Sequence, residues 1–315
     1  HEVHLIAPGY EEDKEHEIRD GVEIHRVRAS RNFLKGFKLA LTLPKKIIEL
    51  DKRHNFDVIN AHFSGRMTIL IGISCKIIRK PLVLTAYGIG LLANKGIGGI
   101  LNKIYLSFPS KIICVSNYVA SLVGKHTDKK KISVVNLGVD TEKLRLTKST
   151  SEFKKRLGIG NEKVLLSVAG LVPRKGIDVV IKSLPIVLKE VPDLKHIVVG
   201  RGSEKQNLVE LSRNLNVQNH IIFFDYINEL GDLFRVCDVF ALMSRTIREK
   251  EGVEGLGMAY IEASYLGKPV IAGKSGGTGD AVIDGVTGYR IEPLNHEELA
   301  KKIILLMKNK KLRQK

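Results

Sequence analysis

Val253-Glu254-Gly255-Leu256-Gly257-Met258-Ala259-Tyr260-Ile261-Glu262-Ala263 reads as a loop that enters a helix. A Gly-x-Gly turn follows the first carboxylate, and an apolar helical pattern runs through the second. Glu254 and Glu262 are eight positions apart, up to about 12 Å along an axis rising about 1.5 Å per residue. The two carboxylates therefore cannot share one ligand atom, but they suit a long ligand gripped at two places. Between them, the backbone N–H groups of Gly255, Leu256 and Gly257 at a helix N-terminus attract an anion. The order carboxylate, anion cradle, carboxylate fits a sugar, a diphosphate and a ribose.

Outward from this run, strand and helix alternate almost throughout. In the first half, apolar β-rich runs occur at Val3 to Ala7, Val22 to Val27, Val58 to Ala61, Leu82 to Ala86, Ile112 to Val115 and Ile132 to Val135. In the second half they occur at Val164 to Val168, His196 to Val199, Ile221 to Phe224, Val239 to Leu242 and Val270 to Ala272, with helical patterns such as Ile177 to Lys189 between them. This alternation argues for an α/β protein with parallel sheets covered on both faces. Thr141 to Lys155 is polar, lacks an apolar period and reads as a linker. The expected organisation is an N-terminal domain over residues 1–140, a linker over 141–155 and a C-terminal domain over 156–315. Both domains are expected to be Rossmann-like and to face a cleft. Ligands of open parallel sheets bind outside the carboxyl ends of the strands. Arg174 and Lys175, Gly200-Arg201-Gly202, Asp225-Tyr226-Ile227, Ser244 and Arg245, and Gly273 to Gly277 all fall at such ends.

Four motifs in order resemble the GT-B retaining glycosyltransferases of the GT4 group. The Glu254 to Glu262 spacing matches the family's E-x7-E signature. Val168-Ala169-Gly170-Leu171-Val172-Pro173-Arg174-Lys175-Gly176 resembles its donor-phosphate loop, Asn136-Leu137-Gly138-Val139-Asp140 its interdomain crossing, and Ser275-Gly276-Gly277 its second Gly-rich turn. The resemblance implies that a nucleotide-diphosphate sugar is the donor and that no cofactor is needed. Lys175 and Arg174 would neutralise the diphosphate, and the backbone near Tyr226 and Ile227 would meet the base. Glu262 would accept from the ribose hydroxyls, and Glu254 would hold the transferred sugar. It also implies same-face attack of an acceptor hydroxyl on an oxocarbenium-like centre, with the departing phosphate oxygen taking the proton.

The chain departs from the family pattern at four places. Ala169-Gly170-Leu171 stands where Gly-Arg-Leu is usual, so one cation is missing and Arg174 or Arg201 would have to replace it. Tyr87-Gly88 stands where a His precedes Gly, leaving Tyr87 to donate the hydrogen bond on the acceptor side. Asp280 lies near a usual Glu. The opening His1-Glu2-Val3-His4 resembles the family's second strand, so the N-terminal domain is expected to lack its first strand. The Val253 to Ala263 run is somewhat like that of GDP-mannose-dependent mannosyltransferases, while the donor base, guanine or uracil, is not legible.

The net charge of +17 implies an anionic partner. A phosphorylated substrate or an anionic membrane surface is preferred over nucleic acid, because 6% aromatic residues with no Trp give poor stacking platforms. From Arg31 through Lys46, Phe33, Leu34, Phe37 and Leu39 are mixed with Arg31, Lys35, Lys38, Lys45 and Lys46. That run suits either a half-buried helix with a solvated basic face or peripheral docking on anionic lipid, which would bring a lipid-linked acceptor to the cleft. A sugar or another small molecule is the other acceptor class. Apolar runs fall well short of the roughly 20 residues of a membrane span. Cys75, Cys114 and Cys237 are odd in number and lack metal spacing, so they are expected to be reduced core residues of a cytoplasmic protein. No D-x-D pair offers a divalent clamp on a diphosphate, and no metal-binding residues are expected. Neither Pro8-Gly9 nor Gly200-Arg201-Gly202 continues into a G-x-G-x-x-G fingerprint, which disfavours a dinucleotide oxidoreductase. Alternatives to glycosyl transfer are a GT-B sugar epimerase, a nucleotide-binding regulatory protein without transfer activity, and a basic nucleic-acid-binding protein.

Overall fold

The structure is a computed structural model and describes residues 1–9, 13–28, 33–62, 65–88, 96–247 and 252–315. By its internal contacts the chain divides into two compact units, His1–Cys114 with Ala120–Ser133, and Val115–Val119 with Val134–Lys315.

The first unit carries two sheets. Strands β1 (Val3–Gly9), β2 (His16–Arg19) and β3 (Val22–Arg28) pair in the order β1-β3-β2. Strands β4 (Ile59–Ala61), β5 (Leu82–Ala86), β6 (Lys111–Cys114) and β7 (Ile132–Val134) form the second sheet in that order. β1 and β3 are parallel, whereas β2 returns antiparallel to β3. The turn between β2 and β3 is Asp20-Gly21, with φ of 52° and 78°. Two successive positive φ values make a type I′ hairpin turn, for which Asp-Gly is a preferred pair. β2 was not among the expected strands, and this dipeptide is the signal that would have shown it. The helix Phe33–His54 follows. Of the basic and apolar run, Arg31 and the side chains through residue 40 lie outside the described residues, while Lys46 Nζ lies 3.4 Å from Glu49.

The second unit is one six-stranded parallel sheet. Its strands are β8 (Lys163–Val168), β9 (Leu194–Val199), β10 (Ile221–Phe224), β11 (Val239–Leu242), β12 (Val270–Gly273) and β13 (Gly288–Ile291), in the order β10-β9-β8-β11-β12-β13. Renumbered from β8, this is the doubly wound dinucleotide-fold order, in which the chain starts at the centre, runs to one edge, returns and runs to the other. β11 and β12 are buried along their whole length, which explains why they read as continuous apolar runs instead of alternating ones. β13, Gly-Tyr-Arg-Ile, is too polar to register as such a run.

The segment expected as a linker includes the helix Thr150–Arg156. Ser149 caps it by accepting from Glu152 N at 3.2 Å, and Phe153 is fully buried in the second unit's core. Thr147 donates from N and Oγ1 to Asp232 Oδ2 at 3.1 and 2.6 Å. Two turns of helix with one buried aromatic are too short to generate a visible period. All three cysteines are free and buried, and burial pushes the Cys75 and Cys114 thiols up to about 11. No described helix is long and apolar enough to cross a membrane.

His196 is fully buried on β9, the strand between β10 and β8 in the six-stranded sheet. Ser167 Oγ donates to Ala241 O at 2.6 Å and so accepts from His196 Nε2 at 3.0 Å, leaving Nδ1 without a partner among the described residues. Burial lowers the His196 pKa to about 3. The imidazole takes a proton more readily in the unfolded chain, whose ordinary pKa is about 6.5, so its contribution is intact above that pH and is lost as pH falls toward 3. The stability of the wild type, measured by urea denaturation between pH 7.5 and 4.5, is expected to fall more steeply with acid than that of His196→Gln. The excess should approach about 1.4 kcal/mol per pH unit, and identical slopes would refute the buried neutral imidazole.

Candidate functional site

In a doubly wound sheet the chain leaves neighbouring central strands toward opposite sides, which opens a crevice at their carboxyl ends. Here those strands are β8 and β11. The chain after β8 runs through the short 3-10 helix Pro173–Lys175, and the chain after β11 reaches the helix Met258–Tyr265. These two loops are pressed together. Arg245 N donates to Arg174 O at 2.8 Å. A Cβ on Gly176, whose φ is 65°, would lie 1.9 Å from Met243 O, so only glycine fits there.

Pressing the loops together delivers two cations to one carboxylate. Glu254 is 7% exposed. Its Oε2 accepts from Lys175 Nζ at 2.5 Å, Ser244 Oγ at 3.0 Å and Arg174 Nη1 at 3.5 Å. All three contacts converge on one oxygen, and among the described residues Oε1 has no partner. The Tyr260 hydroxyl holds Ser244 in place, lying 2.9 Å from its Oγ and 2.8 Å from Leu242 O. Burial, and then the Glu254 charge, push the Tyr260 phenol well above its usual range, so it remains a donor.

The second Gly-rich turn forms the floor. Gly277 N donates to Glu254 O at 2.8 Å. A Cβ on Gly276, with φ of 54°, would lie 2.2 Å from Glu254 O, and one on Gly277 would lie 1.9 Å from Gly255 O. The backbone of residues 275–277 therefore lies directly against that of 254–255. Among the described residues, the N–H groups of Gly255, Leu256 and Gly257 donate to no protein acceptor, and they precede the helix that carries Glu262. Glu262 is half-buried, and burial raises its pKa while Lys143 opposes the rise. No described cation lies within ion-pair distance of it.

The remaining expected residues are spread along the same edge. Gly200 and Gly202 lock the turn after β9 onto the Ala169–Leu171 loop, where added Cβ atoms would meet Ala169 O at 1.9 Å and Leu171 O at 2.1 Å. The Arg201 side chain is 76% exposed and faces Asp225 at 3.6 Å. Arg174, not Arg201, is thus the arginine beside Glu254. Tyr226 is 70% exposed after β10, whereas Ile227 is buried. Tyr87 belongs to the first unit, after β5, and its hydroxyl is 2.9 Å from His62 Nδ1. Sequence reasoning passed over Tyr260, Asp178 (the partner of Arg245 at 3.0 Å) and His62. Only Tyr260 carried a signal, as the one hydroxyl in the apolar run.

A family profile described as Glycosyl transferases group 1 matches residues 149–315, and one described as Glycosyltransferase Family 4 matches residues 1–143. The chain belongs to the glycosyl transferases group 1 family. Among its relatives is the GDP-mannose-dependent alpha-(1-6)-phosphatidylinositol monomannoside mannosyltransferase of Mycolicibacterium smegmatis, 39% identical over 158 residues. That match covers 49% of this chain and 41% of the enzyme, so the aligned part is less than half of the relative's length. The N-acetyl-alpha-D-glucosaminyl L-malate synthase of Bacillus anthracis is 24% identical across 99% of this chain and 81% of its own. Among solved structures, Anabaena HepE in complex with UDP has a TM-score of 0.75 at 23% identity, covering 93% of this chain and 78% of that one. Sucrose-phosphate synthase from Thermosynechococcus elongatus has a TM-score of 0.79 at 18% identity, covering 99% and 81%. The fold is that of the GT-B glycosyltransferases, built from Rossmann-like domains.

The close approach of residues 276–277 to 254–255 makes a direct test possible. Gly276→Ala and Gly277→Ala should each lower stability by about 1–3 kcal/mol, the usual cost of overpacking. Gly170→Ala, whose Cβ would meet nothing nearer than Arg201 O at 3.8 Å, should change it by less than about 0.5 kcal/mol. Urea denaturation of the three variants measures this, and equal effects would argue against the packed turn.

Proposed function

We propose that the protein is a retaining glycosyltransferase that moves a hexose from a GDP- or UDP-sugar to an acceptor hydroxyl. The observation that carries this reading is the buried Glu254 carboxylate, held by Lys175 and Arg174 beside the N–H groups of Gly255, Leu256 and Gly257, which have no acceptor among the described residues. Such a site offers an anion two cations and a helix N-terminus, and offers a sugar hydroxyl the Oε1 of Glu254, which has no partner among the described residues. Family membership supports glycosyl transfer. The GDP-mannose-dependent relatives and the UDP-bound neighbour support a nucleotide-sugar donor.

In this reading the diphosphate lies over Gly255–Gly257 and competes with Glu254 for Lys175. Arg174 stands beside it, and Glu262, on the same helix, accepts from the ribose. Ile227 and the Tyr226 backbone meet the base, while Gly200 and Arg201 border the phosphate side. As the bond from the anomeric carbon to the phosphate oxygen breaks, negative charge grows on that oxygen, and the cation and helix-end N–H groups stabilise it. The acceptor hydroxyl attacks from the same face and gives its proton to the departing oxygen, which retains the configuration. Glu254 orients the sugar, and Tyr87, in the acceptor-binding domain over residues 1–140, serves as a hydrogen-bond donor on the acceptor side. The acceptor is a sugar, a small molecule or a lipid-linked glycan. The charge of +17 suits a cytoplasmic enzyme docked peripherally on anionic lipid. Co-sedimentation with anionic but not neutral vesicles, lost at high salt, is the expected result for that docking.

Transfer from GDP- or UDP-sugars, with product anomers resolved by NMR, tests the activity. Turnover to a donor epimer would favour the epimerase alternative, and binding without turnover the regulatory one. The carboxylates should separate kinetically. Glu262→Ala should mainly weaken donor binding. Glu254→Gln should mainly lower turnover and, by releasing Lys175, should tighten nucleoside diphosphate. Lys175→Ala should weaken nucleoside diphosphate by about 2–5 kcal/mol, the cost of removing one side of a buried charge pair, yet leave the nucleoside nearly unaffected. Gly170→Arg should tighten the diphosphate. Calorimetry with nucleoside and nucleoside diphosphate measures all four, and an equal loss of both ligands in Lys175→Ala would mean that the lysine is structural.

A further inference from the structure

The first unit holds a cluster of imidazoles and carboxylates for which the donor site has no use. Strand β3 reads Val22-Glu23-Ile24-His25, and the two-residue period of a strand puts Glu23 and His25 on one face. His4 of β1 is the register partner of Glu23, and His16 of β2 is the partner of His25. All four side chains therefore stand on the same face, contributed by three strands. His54, the last residue of the helix Phe33–His54, closes over them with its ring centroid 4.1 Å from that of His4.

The distances within this cluster are those of ligands around a shared ion. His4 Nδ1 lies 3.1 Å from His25 Nε2 and 3.7 Å from Glu23 Oε2, and His25 Nε2 lies 3.8 Å from the same oxygen. The point equidistant from these three atoms is about 2.1 Å from each, which is the bond length of zinc to imidazole nitrogen and carboxylate oxygen. A hydrogen bond between the two imidazoles explains the shortest edge alone. It gives no reason for a carboxylate oxygen almost equally far from both nitrogens and beyond hydrogen-bond reach of either.

The surroundings of His4 point the same way. Its Nε2 lies 2.9 Å from Glu2 Oε1, which also takes His54 Nδ1 at 3.1 Å. A proton on Nε2, donated to Glu2, leaves the Nδ1 lone pair facing His25 and Glu23. This carboxylate–histidine arrangement orients metal-bound imidazoles in general. The His4 and His25 side chains are only 2% and 8% exposed, while Glu23 is open to solvent at the rim. His16 Nε2, 3.3 Å from Glu23 Oε2, stands beside the open position.

The geometry points to a divalent metal site of the zinc class, with His4 Nδ1, His25 Nε2 and Glu23 as ligands and Glu2 orienting His4. Two imidazoles and one carboxylate suit zinc better than calcium or magnesium, which take all-oxygen shells. Such an ion ties β1 to β3 within the first unit, independently of the donor-binding chemistry. The test is calorimetric titration of the tag-free, chelator-treated full chain with zinc alone, together with thermal unfolding. One equivalent should bind saturably and raise the unfolding temperature. Glu23→Gln and His25→Gln should each weaken binding by more than about tenfold, and Glu2→Gln by about tenfold through His4. Because Glu23 is partly exposed, its variant keeps the test open if His25→Gln fails to fold. No saturable binding, binding as tight in Glu23→Gln as in the wild type, or saturation without a rise in unfolding temperature would each overturn the site.

Discussion

A carboxylate that is 7% exposed carries a large desolvation cost, and the loops around Glu254 are arranged so that it is met. Lys175 and Arg174 reach Glu254 from the loop after β8, while Ser244 and Glu254 itself lie after β11. Neutralisation thus requires two loops from adjacent strands to approach within van der Waals contact. That requirement explains Gly176 against Met243 and Gly276 and Gly277 against residues 254 and 255, where a single methyl group would push backbone from backbone. Tyr260 then fixes Ser244 from the helix, so the ion pair sits in a frame whose parts have little freedom of their own.

The frame rests on strand order. In a parallel sheet every strand ends at the same edge, so loops distant in sequence become neighbours. The start of the order at β8 places the first loop of the second unit beside its fourth. The glycines of the Gly200-Arg201-Gly202 turn extend the same principle by docking β9's loop on β8's. The edge is therefore largely a backbone surface with a few charges, which suits a polyanion better than an apolar ligand.

Much of this was legible in the sequence because buried parallel strands are continuous apolar runs. β8 through β12 could be placed to within a few residues, and the loops between them followed. What stayed hidden was short or local. β2 depends on a two-residue turn, β13 is half polar, and the helix Thr150–Arg156 buries one aromatic residue. The E-x7-E spacing singled out both glutamates, but no spacing rule could show that Glu254 is held by Lys175, since that contact crosses 79 positions. The pairing of Arg201 with Asp225 was hidden for the same reason, and so was the histidine cluster, which depends on register across β1, β2 and β3.

The pairing of Lys175 with Glu254 bears on how the missing cation at Gly170 should be understood. Formal counting suggests that a site with one arginine fewer has weaker hold on an anion in simple proportion. Yet Lys175 is not idle, because it neutralises a carboxylate that has few other partners among the described residues. Any anion that engages it must offset a charge-assisted bond of 2.5 Å. That penalty falls on every anion alike. A ligand that also gives Glu254 a hydroxyl to accept from replaces part of what the carboxylate loses, whereas free diphosphate does not. In the proposed reading the ion pair would therefore discriminate between a phosphate alone and a phosphate joined to a sugar, and a site short of one cation would gain selectivity where it gives up affinity.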